Sequence, residues 1–224
     1  MYGFVKKVYY AASKVLLNKP QYEIVFNKIY RTNAWGDPDT YSGAGSNTIN
    51  TAVIRQKLPL LLKQLEVRTI LDIPCGDFFW MKDLPLDVDR YIGADIVRNL
   101  IAANRKKFEA RGKRFIVLDL LSDSLPTVDL ILCRDCLAHF AHHNIERALT
   151  NVKKSNSRYV LTSTYISRNE NPDITTGSFR PLNLKIAPFR FPNPITIFND
   201  QCLYGNSIYF DKSLGLQEIK NLPE

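Results

Sequence analysis

The stretch Thr69–Trp80, TILDIPCGDFFW, decides the fold. Ile70, Leu71 and Ile73 make a short apolar run bounded by charge and proline. Such a run is expected of a strand buried on both faces of a parallel sheet. It carries Asp72 and then turns through Pro74, Cys75, Gly76 and Asp77. In an open α/β sheet, ligands bind in the crevice beyond the carboxyl end of a strand of this kind. Gly76 has no Cβ, so the backbone can come close to the ligand there.

Outward from this strand, helix and strand patterns alternate. Residues 48–65 read as a helix with Ile49, Val53, Leu58, Leu61, Leu62 and Leu65 as its apolar stripe, kinked or split at Pro59. A short helix is expected over residues 78–84. Strands follow at 90–95 (RYIGAD), 115–119 (FIVLD), 128–133 (VDLILC) and 159–164 (YVLTST), with helices at 97–110 and 142–154. Residues 207–211 and 216–220 read as a closing strand pair. The pattern demands an α/β domain with a mostly parallel seven-stranded sheet and helices on both faces.

Two units are expected. Residues 1–46 form an N-terminal helical extension with a glycine-rich cap loop, and residues 47–224 form the domain. Within the extension, residues 2–17 place Phe4, Val5, Val8, Ala12, Val15 and Leu16 near helical spacing with Lys6, Lys7 and Lys14 among them. That amphipathic helix packs on the domain or touches a membrane surface or partner. The Ser42–Ser46 loop either offers amides to a carboxylate or phosphate or is a flexible loop with Ser46 or Asn47 as helix cap. A stretch rich in Pro, Asn and Arg, about residues 166–198, reads as a lid or acceptor loop.

Composition narrows the class. With 224 residues, 45% of them hydrophobic, the chain can bury one full α/β core. Thirty basic against twenty-two acidic side chains give +8, but the basic residues are scattered and read as a solvated surface. No aromatic–basic RNA-binding signature is present, which argues against a nucleic-acid partner. Cys75, Cys133, Cys136 and Cys202 form no disulfide framework, so a reduced, cytoplasmic setting is expected. Cys133 and Cys136 have the C-x-x-C spacing without a second ligand pair; they read as core thiols, and no metal is predicted. No run of about 18 apolar residues is present, so no membrane span is expected. The start lacks the long apolar core and cleavage site of a signal peptide.

Three acids stand at successive strand ends: Asp72, Asp95 and Asp119. Asp95, 19 residues after Gly76, is placed to accept both hydroxyls of a ribose. Asp119 is placed to accept from the amine of an adenine. Ile96 and Leu120 stand beside them. The competing reading is that each acid caps a strand or a following helix. A dinucleotide site would want G-x-G-x-x-G to seat a pyrophosphate, and this turn has one glycine and the negative Asp77. An adenosine ligand without phosphate, carrying a sulfonium and an amino group, fits better.

On these motifs the chain resembles class I S-adenosylmethionine-dependent methyltransferases. LDIPCGD stands at their glycine-rich first motif, YIGADI at the ribose-binding acid, FIVLDLL at the adenine contact and VDLILCRDCLAHF at the motif beside the methyl group. The resemblance covers about residues 47–165 and departs from the family at Pro74, which replaces the first glycine. It implies a Rossmann-like fold, with S-adenosyl-L-methionine as cofactor and S-adenosyl-L-homocysteine as product. WGDPDTYSGAGS, CRDCLAHF and DITTGSFRPLNL are in addition similar to segments of small stand-alone sugar O-methyltransferases of bacteria and large viruses. That similarity implies a sugar or glycan acceptor.

Methyl transfer to a hydroxyl needs an aligned nucleophile and a base. Asp135 and His139 are four residues apart and would share one face of a helical turn. Asp135 would then hold one ring nitrogen while the other takes the acceptor's proton; the competing reading is a structural histidine, with His142 and His143 in reserve. Arg134 or Cys133 is placed to touch the cofactor, and Ser42 and Gly43 to meet its carboxylate, with Trp35 packing nearby. Tyr165, Arg168, Arg180 and Asn183 lie where the acceptor is expected, and arginine there suits a phosphate or carboxylate such as that of a nucleotide-linked sugar. The leading reading is O-methylation of a sugar hydroxyl on a glycan or nucleotide-sugar. The alternatives are methylation of another small molecule or of nucleic acid, and a non-catalytic binding module.

Overall fold

The computed structural model describes residues 20–203 and 209–223. The helix expected over residues 2–17 lies outside them. The described strands are β1 (Thr69–Asp72), β2 (Arg90–Asp95), β3 (Lys113–Val117), β4 (Leu130–Cys133), β5 (Tyr159–Tyr165), β6 (Thr196–Asn199) and β7 (Lys212–Glu218). They form one seven-stranded sheet in the order β3-β2-β1-β4-β5-β7-β6. β1 to β5 are mutually parallel, and β7 runs antiparallel between β5 and β6. The order reverses at β1, which opens a crevice beyond the carboxyl ends of β1 and β4. This is the Rossmann-like class I methyltransferase architecture.

The strand residues alternate between two cores, as period-2 side chains must. Leu71, Ile92, Ile131 and Val160 pack on one face. Ile70, Tyr91, Leu130, Leu132 and Leu161 pack on the other. Four helices are described: α1 (Gln21–Thr32), α2 (Ala52–Gln64), α3 (Arg98–Phe108) and α4 (His142–Lys154). On the first face, α4 supplies Ile145, Ala148 and Val152, and Tyr22 and Phe26 of α1 pack beside them. On the second face, α2 supplies Ile54, Leu58, Leu61 and Leu62, and α3 supplies Leu100 and Ile101. Leu182, Leu184, Phe189 and Phe191 from the irregular 166–198 stretch also enter the first core, so this stretch is a packed part of the domain.

Four local expectations are corrected. α2 starts at Ala52, which leaves Ile49 exposed, and it runs unbroken through Pro59 because its buried leucines hold it. Residues 78–84 form turns, since Phe78 takes φ +62°, a left-handed conformation that no α-helix accommodates. Phe78 instead plugs an aromatic cluster with Tyr91, Phe108 and Phe115. The closing pair is Thr196–Asn199 with Lys212–Glu218, with Leu216 paired to both Leu161 of β5 and Thr196 of β6. The stretch around Asp135 is not a helix, and its consequence for the site is described below.

Candidate active site

The crevice beyond β1, β2 and β4 encloses about 1110 Å³ of space open to solvent. Asp72, Gly76, Asp95, Ile96, Asp119, Leu120, Arg134, Asp135, His139, Trp35 and Ser42, all singled out from sequence, line it. Gly43 does not: it packs under Trp35, where a Cβ would lie 3.2 Å from the Trp35 Cβ. The roof went unread in the sequence. Tyr22, Phe26, Ile29 and Tyr30 of α1 form it, and the Tyr22 hydroxyl donates to Asp119 at 2.7 Å. Burial and this bond push the Tyr22 hydroxyl up to about 12.

The glycine-rich loop is latched by Asp77. Its carboxylate accepts from the Thr40 hydroxyl, the Tyr41 N–H and the Ser42 hydroxyl at 2.9 to 3.1 Å. In return the Ser42 Oγ accepts from the Asp77 N–H at 3.0 Å. Gly76 is the hinge of this clasp, with φ +54°, and a Cβ there would lie 2.2 Å from the Ser42 Oγ. The close approach that needs glycine is therefore made by the chain's own loop. Of the loop's amides, Ser42 N–H donates to the Thr40 hydroxyl and Ser46 N–H to the Gly43 carbonyl, and a short 3-10 turn, Ala44–Ser46, stands between the loop and α2, which starts at Ala52.

Asp72 and Asp95 are both buried. Asp72 accepts a hydrogen bond from the Tyr91 hydroxyl, and burial raises its carboxyl to about 7. Burial raises Asp95 to about 6, against the pull of the Val97 and Gly76 N–H groups that it accepts at 2.9 and 3.3 Å. Asp119 lies two residues beyond β3 rather than within it.

Arg134 and Asp135 follow β4 directly and meet two residues that the sequence pattern did not flag, Asp200 and Lys212. The Arg134 guanidinium contacts Asp135 at 3.0 Å and Asp200 at 2.7 Å, and the Lys212 ammonium contacts the same two acids at 2.6 and 3.2 Å. Arg134 also donates to the Gly45 and Asn50 carbonyls, tying the glycine-rich loop to this cluster. Burial pushes the Asp135 carboxyl up, but Arg134, Lys212 and the Ser163 hydroxyl outweigh it and hold it well below the carboxylate range. The expected Asp135–His139 hydrogen bond is not made. Asp135 takes φ +52°, so a helical four-residue spacing does not apply, and its oxygens belong to Lys212, Arg134 and Ser163.

His139 has another partner. Its Nδ1 lies 2.9 Å from the Ser178 carbonyl oxygen. A carbonyl only accepts, so Nδ1 carries the proton and Nε2 of the neutral ring is a free base. Burial lowers the pKa of the ring below the ordinary histidine value. Trp35 and Phe179 flank it with ring centroids 4.7 and 5.4 Å away. His142 packs edge-on to Phe189 and does not line the crevice, and neither does His143.

Residues 70–156 match the family described as a methyltransferase domain. That match covers about two fifths of the chain and takes in the three strand-end acids; S-adenosyl-L-methionine is the cofactor it indicates. A comparison with curated proteins finds no match. Among solved structures, the chain is similar to a SAM-dependent methyltransferase from Anabaena variabilis ATCC 29413, at 13% identity over 89% of this chain and 96% of that one, with a TM-score of 0.60. It is similar to the N-methyltransferase NodS from Bradyrhizobium japonicum WM9, at 15% identity over 80% of this chain and 99% of that one, with a TM-score of 0.57. A protein from Pyrococcus horikoshii OT3 matches at 22% identity over 55% of this chain and 62% of that one, with a TM-score of 0.43. At these identities the likeness is one of fold.

The crevice suits that cofactor chemically. It offers carboxylates and apolar walls, and its one lining arginine is already neutralised by Asp135 and Asp200. Such a lining favours hydroxyls, amines and a sulfonium over phosphate. The expected acceptor residues sit differently. Tyr165 is buried against Phe179 and Tyr209. Asn183 is structural: its side chain donates to the Arg168 carbonyl and accepts from the Lys185 N–H, knitting the 166–198 stretch together. Arg168 pairs with Asp211 at 2.7 Å. Arg180 is buried beneath the 137–139 turn, where it donates to the Ala138 carbonyl at 3.1 Å. All four described cysteines are free and buried. Among the described residues, no helix is long and apolar enough to cross a membrane.

Proposed function

We propose that this methyltransferase domain transfers a methyl group to a hydroxyl of a sugar, on a glycan or a nucleotide-sugar, with His139 as the general base. The observation that supports this most is the state of His139: a neutral ring, its Nδ1 proton committed to the Ser178 carbonyl, lining the cofactor crevice. A hydroxyl nucleophile needs a base, whereas a neutral amine can attack without one. Trp35 and Phe179 flank the His139 ring at tilts of 33° and 49°, an aromatic wall of the kind that accepts the C–H face of a sugar.

Asp95 would hold the ribose hydroxyls and Asp119 the adenine amine, with Ile96 and Leu120 against the base. Bound there, S-adenosyl-L-methionine supplies an electrophilic methyl on a sulfonium. His139 removes the hydroxyl proton at Nε2 as the oxygen attacks, and the Ser178 carbonyl stabilises the imidazolium that results. Asp135, fixed by Lys212 and Arg134, partly offsets the positive charges that act on the ring and does not take the proton. Trp35 and the α1 roof exclude water.

The test is His139→Gln. Turnover of an acceptor hydroxyl should fall by roughly two to four orders of magnitude, while calorimetric affinity for S-adenosylhomocysteine stays within about twofold. Retained turnover, or loss of cofactor binding in its place, would remove His139 from the role.

A further inference from the structure

Arg180 is 3% exposed and makes no ion pair among the described residues. Its Nη1 donates to the Leu137 and Ala138 carbonyls at 3.5 and 3.1 Å. Its Nε and Nη2 are buried without any partner. These two donors lie on the same edge of the guanidinium, the edge that grips a carboxylate two-pronged. The chain uses that edge in just this way elsewhere. Arg68 holds Asp89 through Nε and Nη2 at 3.0 and 2.6 Å, and Arg168 holds Asp211 through the same atoms at 3.1 and 2.7 Å.

A buried cation without a counter-charge is costly, and burial lowers the pKa of Arg180 accordingly. Asp173 acts on it only through space, with one oxygen taken by the His142 and Ile174 N–H groups. Arg180 follows Phe179, whose ring flanks His139, and its own N–H donates to the Ala138 carbonyl next to His139.

We infer that the Nε–Nη2 edge of Arg180 is a subsite for an oxyanion carried by the acceptor, a phosphate or a carboxylate, gripped beside His139. This rests on the acceptor reading above and narrows it to acidic or phosphorylated sugars. Neither donor atom meets solvent, so the anion enters as a neighbouring side chain moves aside. The anion supplies the missing counter-charge and sets which hydroxyl faces Nε2. The charged groups acting on His139 are Asp135, Arg180 and Lys212. Neutralising Arg180 relieves one of the two cations that oppose protonation of the ring.

The experiment uses the full chain with S-adenosylhomocysteine bound and follows the His139 ring by NMR titration, its signal assigned with His139→Gln. Glucose, glucose 1-phosphate and glucuronate are added in separate arms. The fitting anion, phosphate or carboxylate, should raise the His139 titration midpoint by roughly one pH unit, and neutral glucose should leave it in place. Arg180→Lys should keep a response and Arg180→Gln should lose it, with S-adenosylhomocysteine affinity unchanged in both. No response to either anion in the unaltered chain would overturn the proposal, and that comparison needs no variant to fold. A response that persists in Arg180→Gln would overturn it as well. His139 serves here only as a reporter, so the outcome is separate from whether it is the base.

Discussion

Gly76→Ala probes the clasp that shapes the cofactor crevice. Its magnitude can be worked from two observations. The residue takes φ +54°, and a left-handed conformation costs a non-glycine residue roughly 1 kcal/mol. The added Cβ would lie 2.2 Å from the Ser42 Oγ and 3.1 Å from its Cβ, so Ser42 must move. Moving it breaks both hydrogen bonds between Ser42 and Asp77, each contributing about 1 kcal/mol net. The expected destabilisation is about 3 kcal/mol, which for a chain of this size lowers Tm by roughly 6–12 °C. Affinity for S-adenosylhomocysteine should fall with it, because Ser42, Gly76 and Asp77 line the crevice together. Scanning calorimetry and calorimetric titration read the two effects. A second substitution, Ser42→Gly, removes the clashing atoms; because the two bonds are already lost in Gly76→Ala, the double variant should be about as stable as Gly76→Ala alone. A Gly76→Ala chain as stable as the original, or a double variant less stable than Gly76→Ala alone, would refute this reasoning.

Lys212→Met leaves Asp135 and Asp200 sharing Arg134 alone; breaking a buried pair in this way costs about 3–5 kcal/mol, which a shift of the urea midpoint at constant slope would report. Tyr22→Phe removes one of the two 2.7 Å donors to Asp119 Oδ2, leaving the Ser122 hydroxyl, so S-adenosylhomocysteine should bind several-fold tighter if the adenine amine takes that carboxylate; weaker binding would count against that role. Asp95 has a carboxyl raised to about 6, and ribose hydroxyls donating to it favour the ionised form. Cofactor binding should therefore release a fraction of a proton near pH 6 and strengthen as pH rises through it, as calorimetry in buffers of differing ionisation enthalpy would show. The same sign governs the unliganded fold: the raised carboxyls of Asp72 and Asp95 contribute stability fully present below about pH 4 and lost as pH rises through 6 to 7.

The parallel half of the sheet was legible because each strand carries its own signal. TILD, RYIGAD, LILC and YVLTS are apolar runs ending at the site, and Asp72, Asp95 and Gly76 stand where those runs stop. The closing strands were not legible in place, because Thr196–Asn199 is chosen by pairing with β7 and its own burial alternates weakly. The Asp135–His139 dyad was misread for a backbone reason: spacing of four implies a shared face only on a helix, and Asp135 is left-handed. The true partners of Arg134 and Asp135 lie 66 and 77 residues downstream, and a lysine before SLGL gives no local sign of them. The α1 roof was not legible, because nothing in the periodicity of its residues says which surface they cover.

The acceptor chemistry is the central claim, and one measurement addresses it most directly. The chain is incubated with S-adenosylmethionine labelled with carbon-13 in its methyl group and with a panel of neutral, phosphorylated, acidic and amino sugars. The product is then read by carbon NMR, which separates a methyl ether from an N-methyl amine. The account predicts a methyl ether on an anionic sugar, lost in His139→Gln. Label that appears only on nitrogen, or ether formation that continues undiminished without His139, would contradict it.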